Sequence, residues 1–393
     1  MFRIFYSEKD ATLYESDSTA NTGLDEVLEI GKNLDTAGES WMKSRSLIKF
    51  DMSEVTAVLS KYAVSLDSCK FVLQLFTTHA KNLPSTFTID CKLAGQPWQN
   101  GTGFASDSPV TTNGVSWATP YDSWSLDSQS GNLWISGSQD IQVNGSSIYI
   151  TGSGEGGSWL YQNGSAIFDI SNFNQSFFPQ GGLSTSDVSK HNPTDINIDV
   201  TDAVKVWISG SAGATIPNNG FLLKYSDADE SDSTVTGYVR YFSRDTHTIY
   251  VPRLTMYWDN STFTTGSLTA VDTESFVIYT ALKPTYKDTE VTKLRLYCRD
   301  KYPRKSATNT FPNQTVNYLP STTYYAIYDA ATDEAIIPYD NIYTKVSCDS
   351  TSNFIYLDMN GFMPERRYRI ELKIVDGITE QIVSDNLYFK VVR

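Results

Sequence analysis

Apolar residues in this chain recur at every second position in short runs broken by Gly, Asn, Asp, Ser and Pro, which is the pattern of half-buried strands. Strands are predicted over 10–15, 26–31, 44–50, 70–76, 87–93, 147–150, 166–170, 219–224, 238–242 and 252–254. A second series follows over 274–279, 293–298, 324–328, 354–358, 367–374 and 387–392, with no helical period among them. The run Ser44-Arg45-Ser46-Leu47-Ile48-Lys49-Phe50 is the one around which the first series is organised; Asp51 to Ser53 form its exit turn. Helical pattern is confined to one turn within 53–60 and a short helix within 199–208, capped by Thr201 and ended by Gly210. The acidic run Asp227-Ala228-Asp229-Glu230-Ser231-Asp232 reads as a solvated hairpin tip. It fails as an EF-hand, because the sixth and twelfth positions are Asp232 and Tyr238 where Gly and Glu are needed. A non-EF structural calcium site is left open, the metal ligands unknown; no other cofactor is expected.

The two series are separated by a polar stretch without hydrophobic period, 261–268, so the chain divides into 1–260 and 269–393. Within the first part, 118–194 is rich in Ser, Gly and Asn and also carries Trp124, Trp134, Trp159 and Tyr161. Disordered segments lack such aromatics, and the Asn-Gly pairs at 144–145 and 163–164 predict hairpins extending from the main body.

Charged residues make up only 19% of the chain while aromatics reach 13%, which with the strand pattern gives an all-β class. A net charge of −14 excludes a phosphate-tracking surface as the main business of the molecule, so no nucleic-acid partner is expected. The apolar run at the amino terminus is too short for a secretory signal, and no run approaches the ~20 residues of a membrane span. Cys69, Cys91, Cys298 and Cys348 lie apart in apolar strand patterns and are expected as buried free thiols. His79, His191 and His247 sit in polar contexts with no nucleophile motif, so the chain is read as a non-enzyme.

Several segments resemble the DNRLRE family of β-sandwich modules, relatives of carbohydrate-binding modules. They are the Asp10-Ala11-Thr12 opening, the Asn21-Thr22-Gly23 loop and Arg45-Ser46-Leu47-Ile48-Lys49-Phe50-Asp51. Trp98, Gly114-Val115-Ser116-Trp117, Asp199-Val200-Thr201-Asp202, Asn219-Gly220-Phe221-Leu222-Leu223-Lys224 and Tyr241-Phe242-Ser243-Arg244-Asp245 running to Pro252-Arg253-Leu254 complete the set. The resemblance implies a jelly-roll-like β-sandwich interrupted by the long hairpin insertion. Regular strand spacing in the second series predicts an immunoglobulin-like β-sandwich after it.

The carboxy-terminal segments Tyr302-Pro303-Arg304-Lys305, Tyr318-Leu319-Pro320 and Met363-Pro364-Glu365-Arg366 are similar to virion proteins of marine T4-like phages. Together these features lead to the expectation of a structural component of a tailed-bacteriophage virion, in a neck or collar, tail-attachment or head-decoration position. Such a protein would be made in the host cytoplasm and act through contacts with other virion proteins, as a homo-oligomer within a symmetric assembly and with no membrane partner. The alternative is a carbohydrate-binding protein attaching to cell-surface polysaccharide. In either case the family-like segments suffice to close the sandwich, so the insertion is expected to be surplus to folding. Its Trp124, Trp134, Trp159 and Tyr161 are then the expected partner or glycan contacts.

Overall fold

The computed structural model describes residues 1–34, 38, 40–121, 133–141, 148–162, 170, 173–177, 194–209, 216–263, 276–305, 307–308, 317–376, 379–384 and 387–393. Among the described residues fifteen strands precede the polar stretch: β1 (Phe2–Tyr6), β2 (Lys9–Tyr14), β3 (Val27–Leu34), β4 (Trp41–Lys49), β5 (Cys69–Leu75), β6 (Thr77–Lys81), β7 (Phe87–Leu93), β8 (Ser136–Asp140), β9 (Ile148–Ser153), β10 (Ser158–Gln162), β11 (Asn174–Phe177), β12 (Ile196–Asp199), β13 (Phe221–Tyr225), β14 (Gly237–Phe242) and β15 (Arg253–Trp258). Three helices join them, α1 (Met52–Tyr62), α2 (Thr201–Ser209) and α3 (Asp227–Ser231). Ten strands follow: β16 (Phe276–Thr280), β17 (Thr285–Lys287), β18 (Val291–Asp300), β19 (Thr323–Asp329), β20 (Ala335–Ile337), β21 (Ser347–Cys348), β22 (Asn353–Asp358), β23 (Arg367–Asp376), β24 (Thr379–Val383) and β25 (Tyr388–Val392). The molecule is all-β, built of sandwiched sheets.

The described residues divide into two compact units. One runs from Phe5 to Thr255; the other joins Met1–Ile4 to Met256–Arg393. In the first, an eight-stranded sheet has the order β11-β7-β13-β4-β3-β14-β6 with β2 paired to β4, and β15, β5 and β12 lie side by side in a smaller sheet. Ile89, Cys91 and Leu93 of β7, Phe221, Leu223 and Tyr225 of β13, and Phe71, Leu73 and Leu75 of β5 are sealed from water. In the second unit, one sheet has the order β16-β18-β22-β21 and the other β17-β25-β23-β19-β20, with β24 on β23. All four cysteines are buried free thiols, and Trp207 and Trp258 are core residues.

Several local expectations need correcting. The predicted single turn in 53–60 is an eleven-residue helix, α1. The Asp51 side chain accepts from the Ser53 N–H at 2.8 Å, and Ala63 closes the far end in the left-handed region at φ 51°. Thr201 does not cap α2 but opens it, its hydroxyl accepting from the Phe71 N–H at 2.8 Å. The acidic run at 227–232 is no hairpin tip: Ser226 caps the short helix α3 by accepting from the Asp229 N–H. Gly210, His191, Trp124, most of 166–170 and 264–268 of the stretch between the series lie outside the described residues.

Antiparallel sheets with one wet face alternate buried and exposed positions, yet β13 is buried at all five residues and β4 from Ser44 to Ile48. Something covers the second face. The cover is a three-stranded sheet of order β10-β9-β8 from the insertion, together with the loop that follows β7.

Candidate functional site

The covered face of the eight-stranded sheet holds a second core. Ala11, Leu13, Leu47 and Leu222 project from β2, β4 and β13 and are packed under Trp98, Trp117 and Trp134, with Trp159 against the rim. The family-like loops are fastened there by Asn21. Its Nδ2 donates to the carbonyls of Asn100 (2.7 Å) and Val115 (2.9 Å), while its Oδ1 accepts from the Gly103 N–H at 2.8 Å. Gln96 fastens the insertion: its Oε1 accepts from the Ile135 N–H (2.7 Å) and from the Ser158 hydroxyl (2.8 Å).

Charge is built into the same wall. Arg45 donates from Nε (2.9 Å) and Nη2 (2.7 Å) to the two carboxylate oxygens of Glu230, and from Nη1 to the Gly156 carbonyl at 2.7 Å. Its guanidinium lies 5.0 Å from the Trp117 ring and 5.6 Å from Trp159. Lys224, fully buried on β13, donates to Asp227 Oδ1 (2.6 Å) and the Tyr225 carbonyl (3.0 Å), and stands 3.2 Å from Glu230. Burial pushes the Asp227 carboxyl up, but the Lys224 hydrogen bond and charge outweigh it and hold it below the usual carboxylate range. Asp227 reaches solvent, but Arg45, Lys224 and Glu230 are buried, and buried ions persist only when paired and hydrogen-bonded, as these three are. The network's two cations and two carboxylates face each other and are spent on structure.

No family model matches the chain, and no curated protein matches it. Among solved structures it is similar to the beta-glucuronidase of Parabacteroides merdae with glycerol in the active site, at 9% identity over 82% of this chain and 28% of that one, with a TM-score of 0.16. The chain spans little more than a quarter of that protein, and so low a score carries no argument.

The predicted contact residues separate once placed. Trp134 is 2% exposed and donates its indole N–H to the Ser116 carbonyl at 3.1 Å, so it is a core residue and offers no surface to a partner. Trp159 is half-buried, one side given to the second core and the Arg45–Lys224 charges. The expectation that the insertion is surplus to folding therefore fails: its aromatic rings bury apolar area that the sheet would otherwise expose. What remains for contact is the face of the three-stranded sheet that carries Trp159. Register sets two rows across it, Tyr161–Tyr149–Asp140 and Trp159–Thr151–Ser138. Tyr161 stacks on Tyr149 with ring centroids 5.3 Å apart, and its hydroxyl lies 3.3 Å from the Ser138 hydroxyl. Tyr149, Ser138 and Asp140 join this face only through the register, and Ser138 and Asp140 lie in a wholly polar, exposed strand that carries no sequence signal. Among the described residues no group of three or more His, Cys, Asp or Glu side chains is arranged to hold a metal ion.

Proposed function

We propose that this chain is a non-enzymatic structural component of a tailed-bacteriophage virion, acting through protein–protein contacts in a neck or collar, tail-attachment or head-decoration position. The observation that carries the reading is the insertion fastened over the eight-stranded sheet by Trp117, Arg45, Trp159 and Gln96. Its charged groups are consumed in holding two layers together, which suits a rigid building block and leaves little for a reaction centre. The similarity of the carboxy-terminal segments to virion proteins supports the same reading. A mass-spectrometric inventory of gradient-purified particles tests it: the chain is expected in a fixed ratio to the major structural proteins, and its absence from particles overturns the proposal.

A second reading, attachment to cell-surface polysaccharide, is favoured by one feature. The rows Tyr161–Tyr149–Asp140 and Trp159–Thr151–Ser138 set ring faces beside hydroxyl and carboxylate groups, the combination that sugars use for stacking and hydrogen bonding. Retention on a panel of neutral glycans that disappears in Tyr161→Ala supports this reading; no retention by the native chain removes it.

A further inference from the structure

Strand β18, in the second unit, alternates its faces over most of its length. Leu294, Leu296 and Cys298 are buried, whereas Lys293, Arg295, Tyr297 and Arg299 stand half-exposed on the other side. Register extends the pattern to the neighbouring strands, setting Tyr279 opposite Tyr297 and Tyr356 opposite Lys293. Tyr279 and Tyr297 stack at 5.4 Å with ring planes 23° apart. The Arg299 guanidinium lies 5.7 Å from the Tyr279 ring, and Lys293 Nζ 5.5 Å from Tyr356. Asp349 receives hydrogen bonds from both Lys293 (2.7 Å) and Arg295 (3.1 Å), one carboxylate between two cations, with Arg299 a third beyond them. Lys301, Arg304 and Lys305 continue the run at exposed positions, so 293–305 holds six basic residues and the single acid Asp300 within a chain of net charge −14.

We propose that this face of the β16-β18-β22 sheet binds an acidic polysaccharide, a hydroxyl-rich chain bearing carboxylate or sulfate groups. Arg and Tyr also serve protein interfaces, but a cluster of like charges at a buried centre is disfavoured there, and here three of four successive outward positions on the central strand are cations. Such a face suits a ligand whose own charges repeat along its length. Single-stranded nucleic acid also repeats its charge and stacks its bases on open ring faces, which makes it the competing ligand. Tyr279 and Tyr297 spend one face on each other, and each keeps its outer face, its edge and its phenol hydroxyl for a ligand rich in hydroxyl groups. Arg295 and Arg299 supply the planar forks that suit carboxylate and sulfate. This proposal is independent of the virion reading.

The test titrates the full chain with fluorescent alginate at about 50 mM and about 300 mM salt, where screening differs strongly. Neutral dextran and single-stranded oligothymidylate serve as competitors. Alginate is expected to bind at the lower salt and at least ~10-fold more weakly at the higher, as ion-pair contacts require, with dextran failing to compete. The double variant Lys293→Gln/Arg299→Gln should lose at least ~10-fold in affinity while melting at the native temperature. Should that variant melt early, Arg299→Gln alone decides, because its guanidinium stands outside the Asp349 pair. Absence of alginate binding at the lower salt, equal binding by the variants, competition by dextran, or tighter binding of oligothymidylate than of alginate would each overturn the proposal.

Discussion

Asp10, in the opening motif of the first unit, is fully enclosed and accepts from the Arg244 backbone N–H at 2.8 Å. Burial pushes its carboxyl up to about 7 against the lowering effect of that hydrogen bond, and the neighbouring Asp245 charge adds to the rise. A carboxyl with a raised folded value binds its proton more tightly in the native state. Its contribution is therefore complete below its ordinary value near 3.8 and is lost as pH rises through about 7. Urea unfolding should show stability falling between those limits by at most ~4 kcal/mol, and Asp10→Asn should flatten that slope; an unchanged slope refutes the assignment. Gly156 makes a different demand. It has φ +70°, and a Cβ there would meet the Trp117 ring at 2.8 Å. Gly156→Ala should cost ~1–3 kcal/mol in denaturant unfolding, from left-handed strain together with displacement of that ring. Arg45→Met, which leaves Glu230 buried with only part of its pairing, should cost ~3 kcal/mol or more by the same measurement.

At the level of elements, the insertion hairpin behaves as a structural layer. Trp134→Ala is expected to cost ~3–5 kcal/mol. Replacing 136–162 by a short Gly-Ser linker should expose Leu13, Leu47 and Leu222, lower the melting temperature and promote aggregation. A deletion that melts like the native chain would show the layer to be dispensable. Most strands were legible because alternation is a local signal: β7, β14, β18 and β23 appear where the apolar positions set them. The polar strand β8 and the β10 partner of β9 were not, since Ser136-Gly137-Ser138-Gln139-Asp140 acquires its extended form by pairing and not by its own propensity. The length of α1 was missed for a related reason, its end being set by a left-handed Ala63 that no residue type announces. Burial of Lys224 and Arg45 was illegible too. Arg45 meets Glu230 and Gly156 from distant segments, the partners of Lys224 are close in sequence but its burial comes from the insertion layer, and a Lys or Arg in an exposed-looking alternation is ordinarily solvated. Of the candidate contact residues, sequence could rank Trp above other types but could not tell a ring that faces water from one that fills a core.

In the whole molecule, the unit containing the carboxy-terminal strands also owns the first four residues. Phe2 meets Phe362 edge-on at 5.4 Å, Arg3 donates to the Asn360 carbonyl at 2.7 Å and lies 3.4 Å from Asp358, and Ile4 lies against Gly361. A fragment beginning at Met256 should therefore be less stable than the same unit in the full chain, by at least ~2 kcal/mol for loss of the buried Phe2 and Ile4 side chains. A synthetic peptide of Met1–Tyr6 added in excess should raise its melting temperature; no shift would argue that β1 contributes nothing to that unit. The same placement orders events in time. On a ribosome adding ~5–20 residues each second, β1 emerges tens of seconds before the residues at 358–362 that receive it. β15 can pair with β1 earlier in that interval, but the faces of Phe2 and Ile4 that meet Phe362 and Gly361 stay open to its end, while the first unit can already condense around Arg45. The unit that holds the carboxy-terminal strands is thus completed by a strand made long before it, so that unit cannot finish folding until residues 358–362 have emerged.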